Sequence, residues 1–358
     1  MSIPNIIAFY LPQFYPTKEN DEWWNPGFTE WTNVAKARPL FRGHHQPNIP
    51  RELGFYDLRM PEIREVQAKM AKEAGIDGFC YWHYWFNGRR LLDRVFTEVV
   101  EKGKPDFPFC LCWANHSWYK KTWSSGGQDK LLIEQTYGGE EDYKNHFYSL
   151  LEAFKDPRYM NVNSHNIFGI FDPLNFKDIK GFMDSWNKLA IENGLKEFWF
   201  FGYSNVPQYA DKIRESGIEN IVVDFTRSCV RDKALIYRGF VKIIREKLNI
   251  PVTSKYDDYI NIVTNYFLKN KDYYPCIIPN FDHSPRSGAK GTIITGSTPY
   301  KWGQLVKKII KILSKREKNN DIIFIKAWNE WGEGNYLEPD LRNGMKYLEE
   351  LSKIITNK

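Results

Sequence analysis

A (β/α)8 barrel, forming a single domain over 358 residues, is the fold this sequence predicts. Eight short apolar runs recur along the chain, amphipathic helical patterns lie between them, and clusters of aromatic and polar residues follow most of the runs. An open doubly wound sheet is the alternative. The barrel is preferred because its strand ends share one face, where such clusters would meet to form a site.

The candidate strands are 5–10, 75–82, 107–113, 167–171, 197–202, 221–224, 274–279 and 322–328. Helix 61–74 has Pro61 in its first turn and Gly75 just past its end, the expected start and stop signals. Helices 91–102, 142–154, 178–193, 206–216 and 233–248 follow. Helix 302–314 places Leu305, Val306, Ile309, Ile310 and Leu313 on one face, and 341–355 closes the chain. At this length roughly three quarters of the unfolded surface is buried on folding. There is no internal repeat, low-complexity tract or linker. The long loop 12–50 carries Trp23, Trp24, Trp31, His44 and His45, which is too aromatic for a disordered segment, and is expected to fold over the barrel mouth as a wall or lid.

Composition narrows the function. The chain has 13 Trp, 21 Tyr and 24 Phe, many at the ends of apolar runs, which points to a pocket for flat or ring-shaped ligands. A net charge of +6 with scattered Lys and Arg shows no nucleic-acid signature. The basic helix within 302–318 reads as an outer barrel helix with a solvated Lys face, peripheral membrane contact being the alternative. The five cysteines include no C-x-x-C pair and read as buried free thiols, as in a reducing compartment. The chain shows no signal-peptide pattern and no apolar run of the ~18 residues that span a bilayer, so a cytoplasmic location is expected. No metal-ligand spacing, dinucleotide fingerprint or P-loop is present, so neither metal nor cofactor is expected.

The segment Ala327-Trp328-Asn329-Glu330-Trp331-Gly332-Glu333-Gly334 follows the apolar run 322–325. Glu330 and Glu333 are the candidate catalytic pair. Paired carboxylates exchange protons with a glycosidic bond, and indole faces stack on sugar rings. In a continuous strand their odd spacing would send them to opposite faces, so the chain must turn after Asn329, as Gly332 and Gly334 allow. Two converging carboxylates repel, and one pKa rises until that group can donate a proton. Asn329 binds a substrate hydroxyl, fixes the carboxylate, or serves as a turn amide; Glu338 reads as structural, binding backbone at the loop base. In Tyr81-Trp82-His83-Tyr84-Trp85, strand alternation lets only part of the cluster meet substrate. His83 either donates to a sugar hydroxyl or sits satisfied in an aromatic layer. Trp113 and Asn115 share a face and are expected to line the site, and Asp282 to bind substrate hydroxyls.

Together these residues resemble the WbsX-type proteins, which are similar to glycoside hydrolase family 99. The resemblance is carried by Ala8-Phe9-Tyr10-Leu11-Pro12-Gln13-Phe14, Asn20-Asp21-Glu22-Trp23-Trp24, Gly27-Phe28-Thr29-Glu30-Trp31 and Leu53-Gly54-Phe55-Tyr56-Asp57-Leu58-Arg59. It continues through 78–86, Cys112-Trp113-Ala114-Asn115, and 327–339. It implies a (β/α)8 barrel acting on an oligosaccharide or polysaccharide without a metal. By the N-E-x-x-E match, Glu330 would deprotonate the sugar 2-hydroxyl to form a 1,2-anhydro sugar, and Glu333 would protonate the leaving oxygen and then activate water. The substrate would carry α-mannose- or α-rhamnose-like residues. Tyr10, Gln13, Trp24, Trp82, His83, Tyr84, Trp113, Asn115, His116, Asp282, Asn329 and Trp331 make up the expected substrate-binding set. His116, Phe281 and His283 depart from the family pattern at the mouth and bear on substrate identity. The expected function is an intracellular glycan hydrolase or transglycosylase on a surface polysaccharide. The alternatives are a nucleotide-sugar-dependent glycosyltransferase of polysaccharide assembly and a non-catalytic glycan-binding protein.

Overall fold

The computed structural model describes residues 4–120, 129–229, 248, 250–316 and 321–356. Eight parallel strands close on themselves: β1 Asn5–Tyr10, β2 Gly78–Phe86, β3 Phe109–Trp113, β4 His165–Ile170, β5 Trp199–Ser204, β6 Asn220–Asp224, β7 Tyr274–Ile277 and β8 Ile322–Ile325. β1 pairs with β2, Phe9 opposite Cys80, and with β8, Ala8 opposite Ile325, which seals the barrel. The strands read as near-continuous apolar runs because both faces are covered.

Alternation divides each strand between two layers. Phe9, Trp82, Phe201, Tyr203 and Phe324 meet inside the barrel, with Phe9 stacked on Trp82 at 4.7 Å. Tyr10, Phe79, Tyr81, Trp113 and Phe168 face outward to the helices. The helix Pro299–Leu313 shows how the outer layer docks. Thr298 caps it by accepting from the Lys301 amide, and its apolar face, Leu305, Val306, Ile309, Ile310 and Leu313, is fully buried. Each such aliphatic side chain contributes about 1.5–3 kcal/mol.

Boundaries shift where turn chemistry intervenes. β2 starts at Gly78 and runs on to Phe86, since Gly75 ends the preceding helix at φ 84° and Asn87-Gly88, both at positive φ, turn the chain back onto Arg89–Leu91. The predicted helix 142–154 is two, Glu140–Tyr148 and Leu151–Lys155. The predicted helix 233–248 lies outside the described residues apart from position 248. All five cysteines are buried. Among the described residues no helix is long and apolar enough to cross a membrane.

The loop 12–50 holds two short helices, Lys18–Trp23 and Glu30–Lys36, each capped by a threonine. It docks across the C-terminal ends of the strands: Trp31 donates its indole N–H to the Tyr56 carbonyl, and His44 and Gln46 both reach Asp282 beyond β7. It is a wall of the mouth.

Candidate active site

β8 delivers Lys326 to the barrel interior, and the chain then turns. Asn329–Glu330 pairs antiparallel with Asn335–Tyr336, and between them Trp331–Glu333 forms a single 3-10 turn. Gly334 closes it at φ 52°, and a Cβ there would stand 2.7 Å from that of Asp282. Two buried side chains hold the base of the turn. Asn329 accepts from the Leu11 amide at 2.8 Å and donates to the Leu11 carbonyl at 3.0 Å, fastening the end of β8 to the end of β1. Glu338 accepts from Trp328, Trp331, Tyr56 and Gln67 at 2.5–3.0 Å, each oxygen taking two donors. Burial raises its pKa to about 7 against those four bonds. Glu338 is structural, as the sequence suggests, but its partners are side chains rather than backbone.

The turn brings Glu330 and Glu333 to one point, and that point is a guanidinium. Arg286 stands in the one-turn helix Ser284–Ser287. It donates Nη2 to Glu330 Oε1 at 2.6 Å, Nη1 to Glu333 Oε1 at 2.8 Å and Nε to Glu30 Oε2 at 3.0 Å. Burial lifts the Glu330 carboxyl to about 7; the charges of Glu333 and Glu30 add to the rise while Arg286 opposes it. Burial acts on Glu333 too, but Arg286, Lys326, His283 and Arg227 outweigh it and hold Glu333 below the usual range. One carboxyl is poised to carry a proton while its neighbour stays ionised.

Trp82, Phe171, Tyr203 and His116 form an aromatic cluster. Trp82 is half-buried and packs edge-on to Phe171, which stacks on Tyr203 at 5.2 Å; His116 lies against Phe171. Tyr84 sits close to the pair: burial raises its pKa first, and the Glu330 charge adds to the rise. Below, the Lys326 ammonium meets the fully buried Asp224 at 2.7 Å, and Tyr203 donates to the same carboxylate.

The twelve residues expected to bind substrate separate into groups. Tyr84 lies close enough to Glu330 to feel its charge, and Trp82 and His116 pack against Phe171. Gln13 is half-buried, and Trp24 lies exposed against Phe28 on the loop. The others are corrected by their partners. Tyr10 points to the helix layer and donates to Gln67. His83 points there too, its ring nitrogen 2.8 Å from that of His146, and burial holds both imidazoles neutral. Trp113 donates to the Trp85 carbonyl and packs on Phe182, while Asn115 braces Asp172 and Tyr137. Both share a face, but it is the outer one, because Cys112 takes the inner position. Asp282 is occupied by His44, Gln46 and Ser284; burial would raise its pKa, and these bonds more than offset that. Asn329 and Trp331 are fully buried in the turn's own scaffold. Among the described residues no group of three or more side chains is placed to hold a metal ion.

Sequence reasoning missed Arg286, Lys326, Asp224 and any role for Glu30. Two faint signals existed: Arg286 follows Asp282 at a predicted strand end, and Lys326 is a cation closing an apolar run.

The profile of the family described as Glycosyltransferase WbsX matches residues 6–351. The chain belongs to the WbsX family. Two relatives, each called uncharacterized protein WxcX, from two strains of Xanthomonas campestris pv. campestris, are 32% identical over 355 and 352 residues. The matches cover 98% of this WbsX chain and 49% of each relative, so it spans about half their length. Among solved structures, the GH99 endo-alpha-mannosidase from Bacteroides thetaiotaomicron aligns over 99% of this chain and 97% of its own, with TM-score 0.56 and 13% identity. A glycoside hydrolase-like protein aligns over 99% and 94%, with TM-score 0.60 and 11% identity. These likenesses establish the barrel fold for this member of the WbsX family.

Proposed function

We propose that this chain is a glycan-active enzyme, a retaining glycoside hydrolase or transglycosylase acting on α-mannose- or α-rhamnose-like residues of a surface polysaccharide. One observation carries the reading: Glu330 and Glu333, three residues apart on a strand-end turn, converge on the same guanidinium. Family membership and the barrel fold support it.

In the reaction, a base takes the proton of the sugar 2-hydroxyl. The freed oxygen attacks the anomeric carbon, the glycosidic bond breaks, and an acid protonates the leaving oxygen. Water, or an acceptor hydroxyl in transfer, then attacks the anomeric carbon, gives its proton to the former acid, and reopens the three-membered ring as O2 regains its own. The family resemblance makes Glu330 the base and Glu333 the acid. A second reading reverses them, because Glu330 is the raised carboxyl and Glu333 the lowered one.

The test is cleavage of α-mannosides, α-rhamnosides and extracted surface polysaccharides by wild type, Glu330→Gln and Glu333→Gln, with no nucleotide added. Each variant should lose about 10²–10⁴-fold in turnover. An aryl glycoside with a good leaving group should restore only the variant that lacks the acid, and so assigns the roles. Near-normal turnover by Glu333→Gln on a proven substrate would refute both readings. If wild type cleaves nothing, the panel is rerun with nucleotide sugars, which tests the transferase.

A further inference from the structure

We propose that Arg286, braced by Glu30, is the positioning residue of this site: one guanidinium holds Glu330 and Glu333 at a common point and leaves a free oxygen on each for a ligand. The reaction it serves is the one proposed above; the clamp itself stands on geometry.

Three carboxylates, two from one turn and one from a distant helix, repel one another in a small, water-poor volume when ionised, and a cation between them offsets that repulsion. Arg286 meets that need with its whole donor fork, giving Nε, Nη1 and Nη2 to a different carboxylate each. A lysine ammonium carries the charge without the planar fork that sets the angle between the two catalytic groups. Both catalytic bonds go to Oε1. Among the described hydrogen bonds neither Oε2 is engaged, so the clamp can stay closed while substrate binds.

Glu30 is the anchor. It is the first residue of its threonine-capped helix, its side chain is 6% exposed, and it accepts from Nε, the one guanidinium nitrogen that the catalytic pair does not engage. Gly332 supplies independent support. A Cβ at that position would collide with Glu30 Oε2 and stand 2.9 Å from Arg286 Nε, so the turn carrying the carboxylates keeps a gap for this ion pair. The other charged or titratable groups facing the cluster are Tyr84 from β2, His283, Lys326 at the end of β8, and Arg227.

The experiment uses the full chain as Arg286→Gln, Arg286→Lys and Gly332→Ala. Thermal unfolding of each is compared with wild type at pH 8 and pH 5. If Arg286 holds ionised carboxylates together, its removal hurts most when they are charged, so the stability gap should be wide at pH 8 and narrow at pH 5. Gly332→Ala keeps every charge and only pushes the ion pair apart. It should show the same narrowing, and it decides the matter if Arg286→Gln does not fold. On a cleaved substrate, Arg286→Lys and Gly332→Ala should lower kcat by at least about tenfold, a barrier change of ~1.4 kcal/mol, with KM little changed. A gap equal at both pH values, or full kcat in Gly332→Ala, overturns the proposal. If wild type cleaves no glycan, the glycosidase reading fails alone, and the stability gaps still decide the clamp.

Discussion

Glu330→Gln should cost the protein its activity and make it more stable. Burial and the charges of Glu333 and Glu30 raise the Glu330 carboxyl from 4.5 to about 7. Each pKa unit is worth about 1.4 kcal/mol, so an ionised Glu330 weighs on the fold by roughly 3 kcal/mol. Glutamine has the shape of the neutral acid, and its carbonyl still accepts from Arg286. For a carboxyl raised in the folded state, wild-type stability is full below the unfolded value and falls as pH rises through about 4.5 to 7. The variant escapes that loss. The two should melt together near pH 4.5, and at pH 8 the variant should melt higher by about 6 °C, at ~2 °C per kcal/mol for a chain of this size. Paired thermal melts across this range, with turnover measured alongside, give the answer. A difference that does not change with pH, or a variant less stable at pH 8, would refute the reasoning. The trade is familiar for active sites, where groups needed for chemistry are held in environments that oppose folding.

Three further outcomes follow from the same geometry. Asn329→Ala leaves the buried Leu11 amide and carbonyl without partners, at about 1–3 kcal/mol each, and should lower the urea midpoint accordingly. Burial holds His83 and His146 below 6.5 while the unfolded chain protonates near that value; relative to His146→Gln, wild type should therefore lose stability as pH falls from 7 to 5. Trp82→Ala removes the indole between Phe9, Phe171 and Tyr203; it should cost about 3–5 kcal/mol by chemical denaturation and raise KM for any glycan the enzyme cleaves.

The barrel was legible because its signal is local. Runs such as Ile322–Ile325 and Phe109–Trp113 are apolar on both faces, and the pattern alone places them in a covered parallel sheet. The turn bearing Glu330 and Glu333 was legible for a similar reason, since glycines and odd spacing require the chain to bend there. Facing was harder to read. His83 and Trp113 sit one residue from inward positions, and only the register between β2 and β3, which pairs His83 with Trp113 and Trp82 with Cys112, sends them outward. Arg286 was beyond reach. It lies 44 residues from Glu330 and 256 from Glu30, and in sequence it is an unremarked cation after a proline. Its role depends on three segments meeting, which no periodicity encodes.

The docked loop gives this site a particular vulnerability. Glu30, His44 and Gln46 are bonded to residues more than 230 positions away, at Arg286 and Asp282. These are a few side-chain bonds at the mouth, whereas the barrel that receives them is closed by continuous strand ladders. The competent site is thus a separate cooperative unit resting on an already folded scaffold. Its opening without the barrel should cost less free energy than global unfolding. Amide exchange in the helix Glu30–Lys36 would then report the fraction of molecules ready to react, while exchange in β1 and β8 would report only the fraction folded.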